Sequence, residues 1–167
     1  EDKQKVYSTT SISLIASTIL LGSVLFLFRD SFVQLLRIDE HPEYMSLIIS
    51  IIILDALSTI PFSKLRQDGR PVKYAIVRIS SILINIAAIY FFISLCPKWI
   101  AANPNHWCKI IYHENWAVGY VLLANVLQSA ITLLLLTKEF LGFEIKFDSR
   151  LWKEMMTYGL PLIIAGF

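Results

Sequence analysis

One acid interrupts an apolar run. Asp55 sits in Ile-Ile-Ile-Leu-Asp-Ala-Leu-Ser-Thr-Ile-Pro, residues 51–61. On a helix, Ser58 and Thr59 would share its face, and Pro61 follows where it loosens the backbone hydrogen bonding. An ionised acid at the centre of a membrane helix costs roughly 2.5–3.5 kcal/mol on insertion scales, so such a residue faces a water-filled cavity or finds a partner. The chemistry open to Asp55 is a proton or cation site, or a contact to a polar substrate. The plainer reading is a structural acid bonded to a neighbouring helix. Intramembrane acids are functional by default, which puts the first reading ahead.

Two further stripes carry polar groups. Arg78, Ser81 and Asn85 fall at i, i+3 and i+7, one face of a helix. Arg78 lies near the start of its segment and is expected to snorkel to the membrane surface; pairing with Asp55 is the alternative. Asn125, Gln128, Ser129 and Thr132 form a second stripe. Four hydrogen-bonding groups on one face argue against lipid there. Either they join helices, at about 0.6 kcal/mol per bond, or they line a hydrophilic cavity. A third set, Thr10, Ser13 and Ser17, consists of small hydroxyls that suit helix packing.

The elements that hold these residues are membrane spans. The chain is free of charged residues from Val6 to Phe28, from Ile79 to Pro97 and from Asn115 to Thr137. About 20 apolar residues cross the roughly 30 Å hydrocarbon core as a helix. Charged residues make up 17% and mean hydropathy is +0.60, against about 25% charged in globular domains. Apolar segments are expected at about 7–28, 44–62, 74–96 and 116–137, with a further one opening near Trp152. The fold class is therefore all-α, a polytopic transmembrane helix bundle.

Loop charge predicts orientation. With the N-terminal end cytoplasmic, the inner side holds Lys3, Lys5, Lys64, Arg66, Arg70, Lys73, Arg78, Lys138, Lys146, Arg150 and Lys153. The outer side holds Arg29, Arg37, Lys98 and Lys109. This is the positive-inside bias. Basic residues spread over short loops do not make a nucleic-acid face. The predicted outer loop carries Trp99, Trp107, Tyr112 and Trp116, read as interfacial anchors. Cys96 and Cys108 fall on the same side, where an oxidising compartment permits a disulfide; two separate thiols near the surface are an equal alternative. His41, His106 and His113 read as solvated loop residues. No Walker loop, His-Glu-x-x-His or Cys-x-x-Cys occurs, so the sequence indicates no cofactor, no metal site and no enzyme. A first residue other than Met and a last apolar segment that stops short suggest an internal piece of a longer protein.

The segment from Asp55 to Ala75 resembles the loop between the fourth and fifth helices of bacterial polysaccharide flippases. These O-antigen and capsule exporters belong to the multidrug/oligosaccharidyl-lipid/polysaccharide superfamily. Pro61, Leu65, Arg66, Arg70, Pro71, Tyr74 and Ala75 match the pattern, with Ser63 in place of a small Ala. Tyr158-Gly-Leu-Pro-Leu-Ile-Ile-Ala-Gly resembles the start of the seventh helix. The resemblance implies a two-lobed transporter, with residues 1–150 in the N-terminal lobe as helices three to six and 151–167 opening a further helix. It implies flipping of an undecaprenyl-diphosphate-linked oligosaccharide across the bacterial inner membrane, in lipopolysaccharide or other polysaccharide synthesis. The partners are then the lipid bilayer and glycan polymerase machinery.

Within that frame Arg66, Arg70, Lys73 and Arg78, with Lys64, are candidates for the lipid diphosphate; the ordinary positive-inside signal explains the same charges equally well. Asp55, Asn85, Asn125 and Gln128 are candidates for translocation or ion coupling, and Pro61 and Pro161 for hinges. Two other functions remain open: a cation-coupled multidrug antiporter of the same superfamily, and a non-transporting membrane component of glycan assembly.

Overall fold

The structure is a computed structural model that describes residues 2–103, 108–113, 115–140 and 147–165. It is all-α, with no strand among the described residues. Helix α1 spans Asp2–Leu27, the short α2 Arg29–Leu36, α3 Glu43–Gln67 and α4 Pro71–Tyr90. A π-helical turn, Phe91–Leu95, carries α4 into α5, Cys96–Ala102. Then follow α6 Cys108–Ile111, α7 Ala117–Leu135, α8 Thr137–Phe140 and α9 Ser149–Ala165.

Four stretches are long and apolar enough to cross a membrane: Gln4–Leu27, Glu43–Gln67, Pro71–Ala102 and Ala117–Leu135. Two run beyond the expected ends. α3 continues past residue 62 because Pro61 removes one backbone donor without stopping the helix, and its last turns carry Lys64 and Arg66 beyond the apolar stretch. The third span continues to Ala102 because the π turn comes just before Pro97 and accommodates the ring and missing N–H there.

A tight turn joins α3 to α4. Gly69 has φ +65°, the left-handed conformation that suits glycine after a helix. Its N–H bonds the Arg66 carbonyl at 3.2 Å, and the Arg70 N–H bonds the Leu65 carbonyl at 3.0 Å. Pro71 then opens α4 at a position where no N–H is needed. Part of the Arg-Gln-Asp-Gly-Arg-Pro motif is therefore a helix stop followed by a helix start.

α7 packs against both α3 and α4, and α1 packs on α3. Phe62, Leu65, Val77 and Leu136 form one buried cluster near that turn, with Tyr74 against it. Val33, Met45 and Ile49 form another at the opposite end, where α2 folds back. The outward faces stay apolar: Leu27 is 80% exposed, Leu134 71% and Ile86 59%. In water such faces would be costly; in hydrocarbon they are not. The chain is thus a multi-span membrane protein.

Candidate functional site

A polar cavity of about 330 Å³ opens between α3, α4 and α7. α3 supplies Asp55, Ser58, Thr59, Phe62 and Arg66, α4 supplies Tyr74 and Arg78, and α7 supplies Gln128 and Thr132. Asp55 is the middle residue of α3. Arg66, eleven residues further on, lies about 16 Å away along the axis at 1.5 Å per residue. The cavity therefore runs from the middle of the span to its basic end.

Its acid is held but not covered. Ser129 Oγ donates to Asp55 Oδ1 at 2.6 Å, while the Asp55 side chain remains exposed. Ser58 and Thr59 turn their hydroxyls onto the Leu54 and Asp55 carbonyls, at 2.9 and 3.2 Å. Those bonds take the hydroxyl protons, leaving the oxygens toward the cavity as acceptors. No ion pair joins Asp55 to Arg78 among the described residues. The Arg78 guanidinium lies instead over the Phe62 ring, 5.0 Å from its centroid. Arg66 lies over Tyr74 at 5.9 Å, and the two rings meet edge to face at 5.2 Å. Stacking braces a guanidinium through its face; Arg66 Nη2 also donates to Ser63 Oγ at 3.3 Å, so only its remaining N–H groups are left for an anion.

The other expected residues divide. Asn85 Nδ2 donates to Asn125 Oδ1 at 2.9 Å, and Ser81 and Thr132 hydroxyls lie 2.7 Å apart. Both pairs join α4 to α7, so Asn125 links helices, Thr132 links them and also lines the cavity, and Gln128 lines the cavity. Lys73 is bonded to Glu139 of α8, and Glu139 is 7% exposed. Burial pushes the Glu139 carboxyl up, but the Lys73 ammonium, its own backbone N–H and the Arg70 charge outweigh that and hold it below the ordinary value. Arg70, at the N-cap position of α4, is exposed and does not line the cavity. Pro61 is buried within α3, and Pro161 is exposed within α9.

Of the expected α1 hydroxyls, Thr10 and Ser13 pack against α9 and Ser17 does not. Buried positions are Ser8, Thr9, Ser11 and Thr18, whereas Ser17 is exposed. Ser13 accepts from Trp152 Nε1 at 2.9 Å, and Thr10 faces Met155. The expected face therefore packs toward α9, which a reading of one helix at a time could not assign.

At the opposite end, Tyr120 is 1% exposed. It is stacked between Phe92 and Tyr112 at 5.3 and 5.6 Å. Its hydroxyl donates to the Ile111 carbonyl at 2.9 Å and accepts from the His113 N–H at 2.6 Å. Trp116 Nε1 donates to Glu43 Oε1 at 2.8 Å, and His41 Nδ1 lies 3.0 Å from the same oxygen. Trp116, expected as an interfacial anchor, and His41 and His113, expected as solvated loop residues, all line a second cavity. The signal for it was that the starts of two alternate spans, Glu43 and Trp116, must lie at one end.

Cys96 and Cys108 are both buried and no disulfide joins them. No three of His, Cys, Asp and Glu among the described residues converge on a metal-sized site. His106, Trp107 and Lys146, and the Gly166 that ends the second motif, lie outside the described residues. In comparisons with family models, curated proteins and solved structures, nothing matches this chain.

Proposed function

We propose that this multi-span membrane protein is part of a flippase that moves a lipid-linked oligosaccharide precursor across the bacterial cytoplasmic membrane for polysaccharide synthesis. The observation that carries the reading is the cavity of α3, α4 and α7, which joins two braced guanidinium groups at its basic end to one acid at mid-span. The motif resemblance supports it independently. A polar headgroup leaving water needs replacement hydrogen bonds and counter-charge, while its acyl chain stays in hydrocarbon.

In this reading the basic end is cytoplasmic, as the positive-inside bias of the loops favours. Arg66 and Arg78 present N–H groups to the diphosphate, with Arg70 in the adjoining turn. Lys73 contributes only after leaving Glu139. Asp55 and Gln128 lie where the headgroup or a coupling ion passes mid-membrane. Pro61 allows α3 to bend beside them. Asn85 and Asn125 hold α4 and α7 in register. The protein changes the leaflet of its cargo and no covalent bond.

The test is genetic and topological. The full-length gene is deleted and the leaflet distribution of the lipid-linked oligosaccharide is assayed, with rescue by wild type or by Asp55→Asn. The expected outcome is cytoplasmic accumulation, rescued by wild type, with Asp55→Asn transferring at least roughly tenfold more slowly, equivalent to about 1.4 kcal/mol. A normal leaflet distribution in the deletion strain overturns the flippase reading. The exposed acid among hydroxyl oxygens also suits a cation-coupled antiporter, and altered dye or drug tolerance with normal leaflets would select that function.

A further inference from the structure

The cavity at the end away from the basic turn is an open cleft of about 920 Å³, within the range of small-molecule sites. Apolar and aromatic walls come from Ile111, Trp116, Tyr120 and Leu123. Among the described lining residues Glu43 carries the only formal charge with histidine neutral, and no Lys or Arg is present.

The cavity is built rather than incidental. Tyr120 is held by its two stacked neighbours and two backbone bonds. Trp116 meets Tyr120 edge to face at 5.0 Å and is tied to Glu43 through its indole N–H. A Cβ at Gly119 would fall 2.2 Å from the Trp116 ring, so a bare backbone at that position is what seats the indole. The carboxylate is thus fixed at the N–H edge of the Trp116 indole, while its side chain stays 45% exposed.

Aromatic faces and a carboxylate both attract cations and both disfavour anions. Alkyl walls favour a cation that carries apolar substituents over a strongly hydrated one. We propose that this cavity binds an organic ammonium ion, its charge at Glu43 and its alkyl or aryl groups against Trp116, Ile111 and Leu123. The site is separate from the polar cavity and does not depend on the flippase reading.

The probe is benzyltrimethylammonium, measured by equilibrium dialysis against the full chain in phosphatidylglycerol nanodiscs, with protein-free discs subtracted. The measurement is made at about pH 8. Saturable binding is expected. Choline should displace the probe, and its uncharged isostere 3,3-dimethylbutanol should do so roughly tenfold less well. Glu43→Gln, which keeps an acceptor for the indole N–H, should weaken the probe by a similar factor. No saturable binding, equal displacement by 3,3-dimethylbutanol, or unchanged affinity in a folded Glu43→Gln protein overturns the proposal. Displacement by methyl glucoside at lower concentration than choline also overturns it, in favour of a hydroxylated ring. The competition series needs only wild-type protein, so it decides even if Glu43→Gln fails to fold. Repeating it in phosphatidylcholine discs identifies the source. A weakened probe assigns the ammonium to a lipid headgroup and an unchanged one to a soluble cation; both uphold the site.

Discussion

Glu139 shows how a single residue sets a pH dependence. Its carboxyl is buried at the α8 turn and bonded to Lys73, and its folded-state pKa lies below the ordinary 4.5. A depressed acid contributes stability that is complete above the unfolded value and lost as pH falls through the folded one. Wild type should therefore lose stability on acidification from about pH 5 downward through the ordinary glutamate range. Glu139→Gln should lack that loss, and at neutral pH should sit about 1 kcal/mol lower, since Lys73 is partly exposed and recovers water. Thermal unfolding in nanodiscs across pH 3 to 7 checks both; parallel curves would mean that the pair contributes nothing.

Among elements, the α4–α7 contact has the clearest prediction. Asn85 and Asn125 bond across it, and neither lines the polar cavity. A double-mutant cycle of Asn85→Ala and Asn125→Ala should give a coupling of about 0.6 kcal/mol, the usual size for such bonds in membranes. If the flippase proposal holds, leaflet transfer should fall far less than in Asp55→Asn. A collapse of transport with intact stability would move both residues into the translocation path. The α3–α4 turn was legible in the sequence, because Gly69 and Pro71 dictate local backbone geometry. The extent of the third span was not, because Pro97 reads as a stop and nothing in the apolar Phe91–Leu95 segment marks the π turn that accommodates it.

For the whole molecule, the exposed apolar faces predict how the chain tolerates charge. Ile86 is at the middle of the 71–102 span and 59% exposed. Ile86→Arg should disfavour insertion of that span by roughly 2.5–3.5 kcal/mol, measured as the inserted fraction in a translocon assay. An unchanged fraction would place Ile86 against water or protein instead of lipid.

Sequence alone determined that the chain is helical and crosses the membrane several times. Span length and the absence of charge follow from bilayer thickness and from the need of every backbone group for an internal partner. Sequence also singled out Asp55, because a lone acid in hydrocarbon stands out without any neighbour in view. Only tertiary structure decided which polar groups share a space. A helical stripe fixes a face but not what the face meets, so Gln128 and Asn125 look alike in sequence, yet one lines a cavity and the other closes a helix contact. The same limit hid the Glu43–Trp116 cavity. Those residues are 73 positions apart, and packing of α3 against α7 is what brings carboxylate and indole together.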